Sequence, residues 1–488
     1  MTQKSIKKNS IYNVLRTASS ILFPLVTFPY ISRVLLTDNV GKINFGASIV
    51  SYFSLMASLG ISTYATRECS GVRDDPEKLS NTASQIWTIN LLTTVAAYAA
   101  LGVTLLLYRP LRGYRTMIVI QSLAILVNTL GADWLNSAME DFRYITIRTM
   151  AVQWISLLLM LLFVHRPEDY MIYVVLTFLS SAGAGFFNIW YRRRYCRLRV
   201  IRNLRSGIEW KRHMMPILYL FVMMLAQTIF HSVDSTMLGI IHGNYEVGIY
   251  SAAHKITNMI NQVIGSMLWV IMPRMSYYFA EERYEELNRL LRKVLGFNLL
   301  LGLPCAVGCW VIAEDVIRVA AGDAFIEAAP VLQILMIGFV FSLIGGNFLG
   351  NAVLLPSKQE KYYMIVCCVT AVVNVIGNAV FIPLFGARAA AGTTAGCGLL
   401  IMLLLLFRVD RRIRIRQIGR LVLPPAVGCA GIVLVCLLLR SIGNLWIRTA
   451  LSITLGAAVY GAVQVLMKNE LTEDVLAAIR RKLGKEKA

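Results

Sequence analysis

From residue 11 onward the chain alternates between long apolar runs and short polar intervals, and the runs are too long for strands. Stretches such as "AVQWISLLLMLLFV", "KVLGFNLLLGLPCAVGCWVI" and "AAAGTTAGCGLLIMLLLLF" carry apolar residues on every side of a helix. About 20 such residues cross the roughly 30 Å of a bilayer's hydrocarbon. The pattern predicts about fourteen spans, near 11–33, 43–65, 82–107, 116–139, 147–164, 170–190, 214–238, 248–272, 294–312, 328–355, 362–383, 388–407, 418–439 and 449–467. The expected fold class is an all-α polytopic membrane protein. Between runs, "MSYYFAEERYEELNRLLRK" (275–293) sets Tyr278, Leu287, Leu290 and Leu291 against a charged face, predicting an amphipathic interfacial helix. The last residues, "LTEDVLAAIRRKLGKEKA", open with Thr-Glu-Asp, residues that favour a helix start, and predict a short basic helix. In "VRDDPEKLS" (72–80) the acidic residues sit just before Pro76, as at a helix start rather than a metal site.

A weak internal repeat organises these spans. "VGKINFGASIV" starts at Val40 and "VGIYSAAHKI" at Val247, and the same offset carries Arg67 onto Arg274. A duplication predicts two pseudo-symmetric six-helix lobes, residues 1–200 and 201–415. Two additional transmembrane helices (416–468) and a cytoplasmic basic tail (469–488) follow. Parallel repeats with the substrate site at their junction are a common transporter plan.

Composition agrees with the pattern and narrows the class. Hydrophobic residues make up 57% of the 488 and charged residues 15%, against roughly 25% charged in soluble domains. The net charge of +21 first suggests nucleic acid, but its placement excludes that reading. With both termini cytoplasmic, roughly three quarters of the 48 Lys and Arg fall on the cytoplasmic side. The richest tracts, "YRRRYCRLRVIRNLRSGIEWKRH" (191–213) and "RVDRRIRIRQIGR" (408–420), then lie against acidic lipid headgroups. The first span has no A-x-A cleavage pattern after it and is expected to stay. Nine cysteines without a C-x-x-C pair read as small apolar packing residues; no metal site and no cofactor are expected. Every loop on the outer side is short, the longest being "AEDVIRVAAGDAFIEAA" (313–329), which leaves no extramembranous domain for an active site.

The chemistry on offer is ionisable groups inside spans, where charge is costly and marks transport paths or relays. Gln227, His231, Asp234 and Leu238 recur at helical spacing in the seventh span. Ser251, Lys255, Asn258 and Gln262 do so in the eighth, overlapped by His254 and Asn261. The first span adds Asn13, Arg16, Ser20 and Thr27, the second Asn44, Ser48 and Ser51, and the fourth Gln121, Asn128 and Asp133. The plain alternative is interhelical hydrogen bonding in a packed bundle, worth about 0.6 kcal/mol per contact. That reading suits Asn374, Asn378, Asn128 and the serines. For Arg16, Asp234 and Lys255 a polar cavity is the expectation, with an Asp234–Lys255 pair as the alternative. A cavity holding Arg16, Lys255 and Arg33 beside His231 and His254 suits an anion, phosphate above all.

"FPLVTFPYISRVL" (23–35), "VGKINFGASIVSYFSLMASLGISTYATRE" (40–68) and "VRDD" resemble the opening of the polysaccharide flippases, the Wzx-type lipid-linked oligosaccharide exporters of the MOP superfamily. "EDFRYITIR" (140–148), "VDSTMLG", "EVGIYSAAHKI", "GDAFIEAAPVLQIL" (322–335) and "NVIGNAVFIPLFGARAAAG" (374–392) follow in that family's order. The resemblance implies a two-lobed transporter rather than an enzyme. It implies alternating access, flipping an undecaprenyl-diphosphate-linked glycan to the outer leaflet of the bacterial plasma membrane for cell-surface polysaccharide synthesis. It further implies that Arg16, Arg33, Asp234 and Lys255 are substrate or coupling groups; with the polar stripes above, Arg16, Arg33, Asn44, Lys255 and His254 are expected to bind substrate, and Asp234, His231 and Asp133 to serve coupling. H+, Na+ or the membrane potential would supply the coupling, and a polysaccharide polymerase is the implied protein partner. Two departures stand out: "WLNSA" (134–138) where relatives are aromatic-rich, and Gly398 where relatives carry an acid. The alternatives are a peptidoglycan-precursor flippase or a multidrug antiporter on the same fold. From another class, a membrane glycan polymerase or glycosyltransferase lacks the outer loop and carboxylate motif it would need.

Overall fold

The structure, a computed structural model, describes residues 6–201, 207–410, 412–413 and 417–473. The described residues are helices joined by short turns, without a strand. The helices are α1 (Ile6–Ser58), α2 (Ile61–Gly71), α3 (Pro76–Leu107), α4 (Arg115–Gly131), α5 (Trp134–Ala138), α6 (Phe142–Phe163), α7 (Tyr170–Tyr191) and α8 (Trp210–Ile241). There follow α9 (Asn244–Ala280), α10 (Tyr284–Val311), α11 (Ala313–Ala320), α12 (Ala328–Ser342), α13 (Glu360–Leu406), α14 (Ile418–Leu439) and α15 (Leu445–Leu466). A π-helical segment, Leu343–Leu354, continues α12.

Eleven helices among the described residues are long and apolar enough to cross a membrane. Two of them turn back at a residue with positive φ: Leu36 (φ 63°) in α1 and Gly386 (φ 56°) in α13. Side-chain bonds establish the reversals. The first arm of α1 climbs beside α6, with Ser19 on Gln153 and Tyr30 on the Val164 carbonyl. The second arm starts at the same end, where Asn39 reaches Pro167, and descends until the Ala57 carbonyl accepts from Asn90 and Thr93. In α13, Asn378 pairs with Thr393, Asn374 with Thr394, Cys397 with the Thr370 carbonyl and Tyr362 with the Leu404 carbonyl, an antiparallel ladder around Gly386. Counting those two helices twice and adding α9, with its 37 residues, gives the fourteen spans expected.

The chain divides into two compact units, one ending at Gly248 and the other beginning at Ile249. In the first, α8 packs against the second arm of α1. Ser51 donates to Ser232 at 2.9 Å, Thr236 donates to Ser48 at 2.9 Å, and the Phe45 ring lies directly on Gly239. The internal repeat has a physical counterpart in this unit. A Cβ on Gly41 would meet the Asn244 carbonyl and the Gly248 nitrogen, while a Cβ on Gly248 would meet the Thr37 carbonyl and side chain. Residues 37 and 244, and 41 and 248, are related by the same offset of 207, so the repeated glycine makes the same contact from both sides. Near the first unit's basic end, Ile61, Tyr64, Leu79, Ile86, Trp87, Trp134 and Leu135 share one apolar cluster. Cys196 belongs to it, and burial pushes its thiol up to about 11.

Asp75 caps α3, accepting the N–H groups of Glu77 and Lys78 at 3.1 Å each, as the order of residues 72–80 predicts. The backbone N–H of Lys78 and its side chain hold the Asp75 carboxyl below the usual carboxylate range.

In the second unit the expected interfacial helix at 275–293 is instead two helix ends. Residues 281–283 form a turn, with Glu282 at φ 52°, between α9 and α10. Leu287 and Leu291 are fully buried in a core with Met275, Phe348, Leu349 and Val353. Their apolar face was legible, but it packs on protein rather than lipid. The connection after α10 is partly helical as expected, through α11 and a turn at Asp323–Phe325. The α14–α15 hairpin is fastened to the unit at both ends, by Arg448 on Asp315 and by Arg292 on Glu470. Of the basic tail expected at 469–488, residues 470–473 are helical, and the rest, from residue 474, lies outside the described residues.

Candidate functional site

Arg16 sits on the first arm of α1, half-buried, with no ion-pair or hydrogen-bond partner among the described residues. The side chain of Asn13, one turn earlier, lies outside the described set. Arg33, exposed at the far end of that arm, folds back onto the Pro29 carbonyl at 2.6 Å. Asn44 donates to the Val40 carbonyl at 2.9 Å, which ties it to its own helix.

On α8 the expected polar face has two characters. Gln227 and His231 are exposed, whereas Asp234 and Leu238 are buried at 1% and 0% exposure. Asp234 lies within electrostatic reach of His231 and Tyr52, and Tyr52 also contacts Thr236 at 3.2 Å. In the second unit, half-buried Lys255 and His254 lie side by side on α9, and His254 stacks on Tyr250 with centroids 5.3 Å apart. Two turns on, Asn261 accepts from Asn347 of the π-helical segment at 3.0 Å.

Asp133 does not share a face with Gln121 and Asn128. The α4 helix ends at Gly131 because Ala132 adopts a left-handed conformation (φ 50°), and the chain swings Asp133 away. Its carboxylate meets Arg148 of α6, Nη2 to Oδ1 at 2.7 Å, and accepts from Asn136 at 2.8 Å. Asn136 also donates to Asn188 of α7 at 2.6 Å, and Asn188 donates to the Gly131 carbonyl at 2.5 Å. The Tyr144 ring lies 5.0 Å from the Arg148 guanidinium and stacks on Tyr191 at 3.5 Å. Tyr191 and Tyr195 both donate to Asp141. Arg148, Asn136 and Asn188 were not singled out from the sequence. The signal present was "EDFRYITIR", which places an arginine two turns into an apolar helix.

The geometry brings Arg16, Arg33, Asn44, Asp133, His231 and Asp234 into the first unit and Lys255 and His254 into the second. Among the described residues no cluster of three or more His, Cys, Asp or Glu could hold a metal.

A fourteen-span α-helical bundle with ionisable groups in its spans defines a membrane-transporter type of fold. It resembles the solved structure of the lipid II flippase MurJ in an inward closed conformation, with a TM-score of 0.61 and 14% identity, covering 96% of this chain and 99% of that one. It also resembles an inward-facing multidrug resistance MATE family transporter of the MOP superfamily, with a TM-score of 0.56 and 13% identity, covering 88% and 96%. Residues 6–279 match the model of the polysaccharide biosynthesis protein family, and the chain belongs to that family. Residues 220–380 match the MatE family model as well. A protein of Escherichia coli (strain K12) named "Putative O-antigen transporter" is 23% identical over 74% of this chain and 86% of its own length. The capsular polysaccharide biosynthesis protein CapF of Staphylococcus aureus is 21% identical over 73% and 88%.

Proposed function

We propose that this chain is a flippase that carries an undecaprenyl-diphosphate-linked oligosaccharide from the cytoplasmic to the outer leaflet of the bacterial plasma membrane. The observation that carries the reading is the polysaccharide biosynthesis family match over residues 6–279 of a multi-pass helical bundle. A glycan headgroup cannot cross hydrocarbon unaided, because each unsatisfied polar group there costs several kcal/mol. Satisfying those groups inside protein is a task for polar and cationic side chains in the spans.

In this reading Arg16 and Lys255 each offer a cation to the diphosphate during its passage, and His254, Asn44 and Arg33 offer further polar contacts. Asp234, His231 and Asp133 couple movement to H+, Na+ or the membrane potential. An inside-negative potential itself favours outward travel of an anionic headgroup. The termini face the cytoplasm, and a polysaccharide polymerase takes the product on the far side.

The test is complementation of a bacterium lacking its polysaccharide flippase. The variants are Arg16→Ala, Asp234→Asn and Lys255→Ala, compared at equal membrane abundance. Surface polysaccharide restored by the wild-type chain and lost in the variants, with lipid-linked precursor accumulating inside, is the expected result. Failure of the wild-type chain with matched glycans would overturn the reading. Full activity in all three variants would remove these residues from the transport path.

A further inference from the structure

The Asp133–Arg148 pair is lopsided. Arg148 keeps only 6% of its side chain exposed, yet two of its three nitrogens, Nε and Nη1, have no hydrogen-bond partner. The guanidinium carries five N–H donors in a rigid fork, and a buried donor left unmade is expensive. Tyr144 interacts with the guanidinium through its charge and through a loose contact from its hydroxyl, and that contact falls outside hydrogen-bonding geometry for Nε and Nη1. Asp133 is the opposite case, with 51% of its side chain exposed and a single oxygen serving both Arg148 and Asn136. One partner is buried with donors to spare. The other can leave for water at little cost.

The turn that holds Asp133 is set by its flanks. Ala132 and Glu140, on either side of the five-residue α5, both take positive φ (50° and 53°). Asn136 stays anchored to Asn188 when Asp133 moves, and Asn188 to the Gly131 carbonyl. The frame therefore remains while the carboxylate departs.

We propose that Arg148 and Asn136 form an anion site for the phosphate group of a lipid headgroup, which enters by displacing the Asp133 carboxylate. Phosphate matches the guanidinium fork in two-pronged fashion, using donors a single carboxylate oxygen leaves idle. The exchange keeps the buried charge compensated throughout: one anion replaces another, and Asp133 gains water as the phosphate loses it. This site uses neither Arg16 nor Lys255, and it stands whether or not the chain transports.

The full-length chain in detergent is titrated with farnesyl diphosphate and, in parallel, with inorganic pyrophosphate, reading thermal unfolding by tryptophan fluorescence. An Arg16→Ala/Arg33→Ala/Lys255→Ala background removes the Arg and Lys cations proposed for transport, so the two readings fail separately. Arg148→Gln raises the half-saturating farnesyl diphosphate concentration about tenfold or more, the loss of one charged hydrogen-bonding partner. Asp133→Asn lowers it several-fold, a gain that misfolding cannot imitate. Protection by farnesyl diphosphate alone assigns the site to a membrane-borne phosphate, and equal protection by pyrophosphate assigns it to the phosphate group itself. Unchanged binding in Arg148→Gln, or no gain in Asp133→Asn, overturns the proposal.

Discussion

The reciprocal glycine contact at the start of α9 makes a quantitative demand. In Gly248→Ala the new Cβ falls 2.8 Å from Thr37 Cγ2 and nearer still to the Thr37 carbonyl oxygen; in Gly41→Ala it falls 2.7 Å from the Gly248 nitrogen. Comfortable contacts begin near 3.5 Å, so the two backbones must part by about 1 Å. The obstructing atoms are mainly backbone, and no rotamer change relieves them. Overpacking of this kind costs about 1–3 kcal/mol, offset by up to about 1 kcal/mol from replacing a helical glycine. The net expectation is a loss of about 1–2 kcal/mol for either variant. Both open the same gap, so the double variant should lose less than the sum by at least about 0.5 kcal/mol. Gly102→Ala, where a Cβ meets nothing within 4 Å, is the control and should be neutral or stabilising. The assay is reversible unfolding in mixed micelles with rising sodium dodecyl sulfate, followed by tryptophan fluorescence. A Gly248→Ala protein within about 0.5 kcal/mol of wild type, or a strictly additive double variant, would refute the close approach.

The same assay checks two other features. Arg448→Ala strands Asp315, whose side chain is 11% exposed and otherwise held by the bidentate pair. Stripping one partner from a buried pair costs about 3–5 kcal/mol, and partial exposure of Arg448 reduces this to about 2 kcal/mol. The Asp315→Leu/Arg448→Leu double variant should recover most of it, and equal losses in single and double variants would show the pair to be unimportant. Asn378→Leu removes the partner of both Asn374 and Thr393 inside the α13 hairpin, and should cost about 1–2 kcal/mol. Stability equal to wild type would mean that apolar packing, not the asparagine ladder, closes the hairpin.

Span positions were readable because crossing hydrocarbon demands a length and a polarity that no other task imposes. The expected 418–439 span coincides with α14, and most of the others end within a few residues of a helix end. What escaped was the reach of amphipathic helices into the protein's own core. The apolar face at Leu287 and Leu291 is the same pattern whether lipid or Phe348 covers it, and only the turn at residues 281–283 decides between them. The "VG" repeat was legible as a spacing. Its meaning, a glycine needed on both sides of one backbone approach, required coordinates.

The candidate site was legible in proportion to how strange each residue looked in its own span. Arg16 and Lys255 interrupt apolar runs, so a single sequence exposes them. Asn374 and Asn378 read from the sequence as hydrogen-bonding residues of a packed bundle, and the structure uses them as pegs across the α13 hairpin. Arg148 was hidden for a different reason. Its partner is fifteen residues earlier, and helical spacing carried through α4 put Asp133 on the wrong face, because Ala132 turns the chain before Asp133 is reached. A periodicity argument fails wherever a non-glycine residue adopts positive φ, since nothing in its side chain announces the turn. The same geometry that misled the spacing argument leaves a buried arginine with two nitrogens lacking a hydrogen-bond partner. That deficit separates Arg148 from the asparagine pegs: their hydrogen bonds run across a closed hairpin, whereas its guanidinium has donors waiting for an anion.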